Sequence, residues 1–191
     1  MAYVSTKRLI KPLRAYAEHE VINVFAYDLD TVNKGTFVKV KGSGWVSDQD
    51  AVGLLNNSSI GASFYGTVND RYGTTAQVTV AGTGDVNKVI GCLLMDVRET
   101  DENGEKLVFH PRKAAELQCV VSGQSAPILR RGILLAYATG ATAGNQAYIN
   151  STGELETNSS IYGGTGGARV GVYLGSADAN GYALLALDCN M

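Results

Sequence analysis

Residues 168–187, ARVGVYLGSADANGYALLAL, decide the fold class because they contain two β-strand patterns separated by a turn. From residue 168 to residue 174, alanine, valine and leucine alternate with Arg169 and Tyr173, which predicts a strand whose arginine and tyrosine face outward. Asn180-Gly181 supplies the positive φ of a tight turn. Tyr182–Leu187 has an apolar or aromatic residue at every position, so we expect it to be a buried central strand.

The same pattern of short apolar runs and turn residues continues along the rest of the chain. Gly, Asn, Asp and Ser interrupt the apolar runs about every ten residues, as in all-β proteins. The predicted strands are Glu20–Tyr27, Thr36–Lys41, Ala76–Val80, Val89–Val97, Leu117–Val121, Gly132–Tyr137, Ala147–Asn150, Arg169–Leu174 and Tyr182–Leu187. Gly132–Tyr137 is also apolar on both faces and is expected to be buried. Pro111–Leu117 favours a helix of about two turns. The sequence therefore predicts an all-β body with one short helix.

The composition excludes several classes of protein. Of 191 residues, 45% are hydrophobic and 18% are charged, which is too apolar for a disordered chain and too poor in charge for a coiled coil. A net charge of −2 argues against a dedicated nucleic-acid binder. No apolar run approaches the roughly 20 residues that span a bilayer, and no secretory signal is visible. We expect a protein made in the cytoplasm, without nucleic acid or membrane as a partner.

Residues that could carry catalysis or bind metal are few and scattered. His19 and His110 lack ligands at metal-site spacing, and no Gly-x-Ser-x-Gly motif is present. Cys92, Cys119 and Cys189 are far apart, so we expect free thiols buried as small hydrophobes, with intermolecular disulfides as the alternative. We therefore predict no catalytic residue, no metal, no cofactor and no enzymatic activity.

The first 17 residues differ from the rest of the chain. They contain four basic residues and no acidic one, Pro12 interrupts any helix, and their apolar residues are too few for a core of their own. We expect an extended basic arm that is either docked on a neighbouring subunit or free. The predicted contact residues of the arm are Lys7, Arg8, Leu9, Ile10, Lys11, Leu13, Arg14 and Tyr16.

Tyrosine dominates the aromatic residues, with ten copies against four phenylalanines and one tryptophan. A tyrosine in a loop or on an outward strand face is often an ordinary strand residue, but tyrosine is also enriched in protein interfaces. The candidate lateral contacts are Tyr65, Tyr72, Tyr148, Tyr162 and Tyr173.

Short matches recur in the same order in the two halves of the chain. They pair Glu20–Val24 with Glu116–Val120, Lys34–Val40 with Arg131–Tyr137, Asn57–Ile60 with Asn158–Ile161, and Val89–Leu94 with Arg169–Leu174. The spacing drifts, so chance could explain any single match, whereas the shared order favours a diverged duplication. The predicted division is an arm (1–17), a first β unit (18–97) with a Gly/Ser/Asn-rich insertion at 42–75, a connector hairpin and helix (98–115), and a second β unit (116–191).

Four segments of the second half, taken in order, carry a family resemblance. Arg131-Gly132 is a basic-Gly step that leads into an apolar strand. The segments are Pro127–Leu135, Gly144–Leu155, Arg169–Leu174 and Gly181–Leu185. Their combination resembles the capsid cement, or decoration, proteins of tailed bacteriophages. The resemblance spans roughly residues 20–190 and is strongest from residue 117 onward, and the insertion at 42–75 departs from the compact members of that family.

The resemblance implies a β-tulip or related small barrel that is not an enzyme. It implies a place on the outer surface of the capsid, bound to the major capsid protein and to copies of itself, with a trimer favoured over a dimer. There the protein would stabilise the expanded head by clamping adjacent capsomers, with the arm as the clamp and the tyrosines as lateral contacts. The alternative is a phage tail-tube, fibre or adhesin β-domain. A small enzyme on a β-barrel would need a polar cluster that the sequence does not display.

Overall fold

The structure is a computed structural model that describes residues 8–42, 44, 76–156 and 167–189, and only the backbone of residues 12–15. These residues are mostly β-structure with one short helix, α1 (Pro111–Glu116), which confirms the predicted fold class. Two 3-10 helices are also present: η1 (Glu18–Glu20) directly precedes a strand, and η2 (Leu107–Phe109) precedes α1. The strands are β1 (Ile10–Ala15), β2 (Val21–Ile22), β3 (Ala26–Tyr27), β4 (Phe37–Val40), β5 (Gln77–Val80), β6 (Val89–Leu93), β7 (Asp96–Arg98), β8 (Cys119–Val121), β9 (Ile128–Leu129), β10 (Arg131–Tyr137), β11 (Gln146–Ile149), β12 (Leu155–Glu156), β13 (Arg169–Tyr173) and β14 (Tyr182–Asp188).

Every predicted strand overlaps an observed one, and three observed strands were not predicted. Strands β9 and β12 have two residues each, which is too short for a periodic pattern. Strand β1 contains Pro12, which argues against a central strand but is compatible with the edge position that β1 occupies.

The strands form two curled six-stranded sheets and one small sheet. Sheet A has the order β1-β10-β14-β13-β11-β12 and is antiparallel throughout. Sheet B has the order β2-β9-β6-β4-β5-β3, in which only the β3–β5 pair is parallel. Sheet C is the parallel pair β7–β8.

Two hydrophobic clusters hold these sheets together as layers. Core 1 lies between sheets A and B and includes Phe37 and Cys92 from sheet B and Tyr173 and Leu185 from sheet A. Core 2 lies on the opposite face of sheet B, where β4, β5, β6 and β9 pack against β7, β8 and the neighbouring loops. The layer order is therefore sheet A, sheet B and then sheet C, so sheet B is covered on both faces and sheet A on one.

Sheets A and B contain the same five-strand unit. The order β2-β9-β6-β4-β5 in sheet B corresponds to the order β10-β14-β13-β11-β12 in sheet A. In both sets, the strands from one side of the sheet to the other come first, fifth, fourth, second and third along the chain. This shared topology supports the predicted duplication. The match of Val89–Leu94 with Arg169–Leu174 falls on the equivalent strands β6 and β13.

Two of the other predicted matches and one unit boundary differ from the structure. The equivalent of β4 is β11, whereas the sequence match paired β4 with β10. The match of Glu20–Val24 with Glu116–Val120 joins β2 to α1 and β8, which are not equivalent elements. Asn57–Ile60, Asn158–Ile161 and most of the predicted insertion lie outside the described residues. Residues 119–129 contribute β8 and β9, which pair with β7 and β6, so the second unit begins at β10 and not at residue 116.

Candidate docking surface

The outer face of sheet A, which points away from sheet B, carries a group of apolar side chains. Cross-strand pairs place Ile133 beside Ala186, Leu135 beside Leu184, and Val172 beside Ala186. All five are partly exposed and belong to none of the hydrophobic clusters, because successive residues of a strand point to opposite faces and their neighbours fill core 1. Leu174, 51% exposed, donates its N–H to the Leu184 carbonyl at 2.7 Å and extends this group. We call these six residues the apolar face.

An ordered aromatic pair borders one end of the apolar face. The rings of Tyr137 and Tyr182 meet edge to face, with 5.5 Å between their centroids. The ammonium group of Lys11 lies 3.8 Å from the centroid of the Tyr182 ring, within cation–π range. The Tyr182 hydroxyl donates to the Arg8 carbonyl at 2.9 Å. These contacts fix the start of β1 against β14.

Charged side chains lie at the ends and edges of the same face. Arg131 and Asp188 form an ion pair at 3.5 Å at the end opposite the tyrosines, and Arg169 is exposed at the start of β13. Tyr148, on β11, donates its hydroxyl to Gln146 Oε1 at 2.5 Å and lies opposite Glu156 on β12. An apolar centre with a polar rim is the arrangement found in protein–protein interfaces.

The predicted arm is part of this sheet, which corrects the expectation that it is free or docked on a neighbour. Strand β1 pairs with β10 in an antiparallel register that places Ile10 opposite Ala136. Leu9 and Ile10 are 7% and 6% exposed, and Ile10 belongs to core 1, so neither side chain is available to a partner. The physical reason is that these apolar residues complete the chain's own core and cover the edge of β10.

The other arm residues have different positions. Arg8 is exposed, Lys11 lies over Tyr182, and Tyr16 is partly buried against core 1. Leu13 and Arg14 lie in β1, but their side chains are not described. Lys7 lies outside the described residues.

One of the predicted lateral tyrosines is wrong, and a bulge explains why. Tyr173 is 1% exposed and belongs to core 1. On β13, Val170 is an extra residue between the pairs Ala147–Gly171 and Tyr148–Arg169, so the inward and outward positions change places after it. Val172 therefore points outward. Tyr148 is partly exposed as predicted, and the remaining three candidates, Tyr65, Tyr72 and Tyr162, lie outside the described residues.

The residues that the sequence analysis missed are those of the apolar face. Gly132–Tyr137 and Tyr182–Leu187 were expected to be buried on both sides, yet only one side of β10 and β14 packs in core 1. The signal was present in the sequence, because a strand that is apolar on both faces needs two covers. Periodicity does not show whether the second cover belongs to the same chain.

Two carboxylates of the described residues, Asp101 and Asp85, have a lowered pKa because they accept hydrogen bonds. Asp101 accepts hydrogen bonds from Lys113 Nζ and from two backbone N–H groups, chiefly the Lys113 bond, and these lower its pKa to about 2. Burial acts to raise the pKa of Asp85, but hydrogen bonds from Lys39 Nζ (2.7 Å) and the Gly82 N–H (2.9 Å) lower it overall. These bonds anchor the hairpin before α1 and the loop before β6.

The three cysteines are free and buried, as the sequence predicted. Burial raises the pKa of Cys92 far above its ordinary value and the pKa of Cys189 to about 12. Burial also raises the pKa of Cys119. Within the described ranges, no three His, Cys, Asp or Glu side chains are grouped so that they could hold a metal ion.

A groove of about 650 Å³ lies between the edge of sheet A and the turn that joins β6 to β7. Its apolar walls include Ile10, Leu94, Met95 and Leu134, and Lys11 and Lys34 also line it. This lining suits an apolar side chain.

No protein-family model matches the chain, and no curated protein matches it. In the part of the chain that the structure describes, no helix has the length and apolar character needed to cross a membrane.

Proposed function

We propose that this chain is a non-enzymatic structural protein of a tailed phage, which decorates the outside of the major capsid protein shell and stabilises the expanded head. The observation that carries the proposal is the location of the segments that resemble cement proteins. The four segments include all or part of each strand from β10 to β14, which are five adjacent strands of sheet A, and the first segment also includes β9 of sheet B. The segments are Pro127–Leu135, Gly144–Leu155, Arg169–Leu174 and Gly181–Leu185. The resemblance therefore involves every strand of one five-strand unit, and that unit bears the apolar face.

The physical character of the body supports such a role. Sheet B is packed on both faces, which makes a rigid block, and the apolar face leaves a surface suited to contact with another protein. Many copies on one shell make individually weak contacts collectively strong. The proposal includes contacts between copies of the chain, with a trimer favoured over a dimer, and a location on the outer capsid surface.

The sequence predicted the whole segment 1–17 as a clamp on the capsid, whereas in this proposal only its exposed beginning contacts the capsid. Because β1 is a strand of sheet A, removal of residues 1–17 would damage the body as well as any clamp. Lys7 and Arg8 remain predicted capsid contacts, since the exposed Arg8 marks where the described chain leaves the sheet.

The test is co-sedimentation of the purified full-length chain with expanded, undecorated heads of the phage that encodes it. We expect saturable binding with a fixed number of copies per capsomer. Absence of binding by folded protein would overturn the proposal. Self-assembly into tubes or binding to glycans, without binding to heads, would favour the tail or fibre alternative instead.

A further inference from the structure

We propose that the apolar face of sheet A docks against the apolar face of a β-sheet on the shell protein, and this inference rests on the proposed function. Within the internal repeat, sheet B already uses its equivalent face to pack against another sheet.

The registers give a residue-by-residue correspondence between the two units. In sheet B, Val38 pairs with Gly91 and Lys39 with Val89, which leaves Ile90 as an extra residue on β6. In sheet A, the same shift leaves Val170 as the extra residue on β13. Gly91 is thus the equivalent of Gly171, and both strands have a bulge at the same place.

The neighbouring strands extend this correspondence without conflict. Cys92 pairs with Leu129, and Val172 pairs with Ala186, so Leu129 is the equivalent of Ala186. On the next strand, Val21 pairs with Leu129 in sheet B and Ile133 pairs with Ala186 in sheet A, so Val21 is the equivalent of Ile133. The resulting equivalences are Val21 with Ile133, Phe37 with Gln146, Cys92 with Val172, and Leu129 with Ala186.

These equivalences relate the apolar face to an interface that already exists within the chain. Phe37, Cys92 and Leu129 belong to core 1, and Val21 packs against it, so this face of sheet B contacts sheet A. Their equivalents Ile133, Val172 and Ala186 lie on the outer face of sheet A. The two units are therefore stacked in the same orientation, and the apolar face occupies the position that receives the next sheet of the stack.

The opposite faces of the two units follow the same rule. Val38, Ile90 and Ile128 of sheet B belong to core 2, whereas their equivalents Ala147, Val170 and Leu185 of sheet A belong to core 1. Sheet B thus packs in core 2 with one face and in core 1 with the other. Sheet A packs in core 1 with the face equivalent to the first, and its remaining face has no sheet against it in the described part of the chain. Since the interface within the chain is sheet on sheet, with a spacing of about 10 Å, we assign a β-sheet as the occupant of the open position.

The distribution of charge on this face agrees with a sheet that is apolar at its centre. Lys11, Arg131 and Arg169 supply positive charge at the ends and edges, and Asp188 and Glu156 supply negative charge there. None of these charged residues lies between Leu135 and Leu184, which are direct cross-strand neighbours at the centre of the apolar face. Lys11 is the β1 neighbour of Leu135, but its ammonium group lies over the ring of Tyr182. A partner face with an apolar centre would therefore meet apolar side chains at Leu135 and Leu184.

The test compares binding to expanded heads between the full-length chain and variants of the apolar face. Leu184→Thr keeps a residue that favours β-strands and removes most of the apolar surface, and Leu184→Lys places a charge at the centre. Phe109→Lys is the matched control, because Phe109 is 75% exposed on η2, which packs with α1 rather than with sheet A. Urea unfolding of each variant checks that the body is folded.

We expect Leu184→Thr to weaken binding by about tenfold or more and Leu184→Lys to abolish it, while Phe109→Lys binds as the unmodified chain does. Unchanged binding of both folded Leu184 variants would overturn the inference and leave the proposed function intact.

Loss of binding in Phe109→Lys alone would show that the chain docks through the side that carries η2 and α1, and would overturn the inference. Failure of the unmodified chain to bind heads would overturn the proposed function, and the inference with it. A dimer without heads that Leu184→Lys dissociates would identify a second copy as the occupant and overturn docking on the shell.

Discussion

Gly91 and Gly171 occupy equivalent positions in the two sheets, and each is pressed against the backbone of the same neighbouring strand of its unit. A Cβ atom at Gly91 would lie 2.4 Å from the carbonyl oxygen of Leu129, and one at Gly171 would lie 2.1 Å from that of Ala186. Real Cβ atoms do not approach backbone oxygen so closely. Both units therefore require glycine beside their bulge, where two strands come close together.

Alanine at either glycine should destabilise the fold. We expect Gly91→Ala and Gly171→Ala each to reduce the free energy of unfolding by about 1–3 kcal/mol or more, because β6 or β13 must move away from its neighbour. Urea unfolding followed by circular dichroism measures the effect. Gly84→Ala is the matched control, since a Cβ atom at Gly84 would have no other atom within 4 Å. Equal stability of Gly171→Ala and Gly84→Ala would contradict the close approach.

The position of β1 in sheet A predicts how a substitution in this strand changes the stability of the fold. Ile10→Ala should reduce the free energy of unfolding by about 2–5 kcal/mol, because Ile10 is buried in core 1. Arg8→Ala should change the free energy of unfolding little, because Arg8 is exposed and accepts the hydrogen bond from Tyr182 with its backbone carbonyl. If Ile10→Ala unfolds at the same urea concentration as the unmodified chain, β1 does not belong to the core.

The ion pair of Asp101 and Lys113 predicts a loss of stability in acid. The folded pKa of Asp101 is lowered to about 2, from an ordinary value near 3.9. A lowered pKa stabilises the fold above about pH 4, and this contribution is lost as the pH falls through the folded pKa. Asp101→Asn should therefore be less stable than the unmodified chain at pH 6 but not near pH 2.

The control for this prediction is an exposed ion pair. Glu99 and Lys106 are joined at 3.3 Å with both side chains largely in solvent, so Glu99→Gln should leave the acid dependence of stability unchanged. Thermal unfolding from pH 6 to pH 2 measures all three proteins. An equal pH dependence in Asp101→Asn and the unmodified chain would show that the Lys113 contact does not stabilise the fold.

The buried cysteines predict slow modification in the native state. Burial raises the pKa of all three thiols, so little thiolate is present at pH 8 and a reagent has no direct access. We expect Ellman's reagent to label none of them in the folded chain and all three after unfolding in guanidinium chloride. Rapid labelling of the native chain, or a disulfide-linked dimer in oxidised virions, would contradict this placement.

The all-β class, the nine strands and the short helix followed from the sequence because periodicity and turn residues are local signals. The buried position of Tyr173 did not, because the bulge at Val170 reverses the alternation of β13 and depends on its pairing with β11. The correspondence of β4 with β11 was also missed, since only strand order in the sheets reveals it.

The candidate surface was partly visible in the sequence. Both strands at its centre were recognised as apolar on both faces, and that pattern alone does not say which face lacks a cover within the chain. The arm was misplaced because β1 pairs with β10, more than a hundred residues away, and Ile10 packs in core 1 with side chains from both sheets. Long-range pairing of this kind leaves no local signal.

A cryo-EM reconstruction of expanded heads saturated with the full-length chain would show whether sheet A faces the shell. We predict that sheet A lies against the shell, with Leu135 and Leu184 beneath a β-sheet of the major capsid protein and with η2 and α1 turned toward solvent. A reconstruction in which the apolar face is turned to solvent, and the shell contacts the η2 and α1 side, would contradict the account.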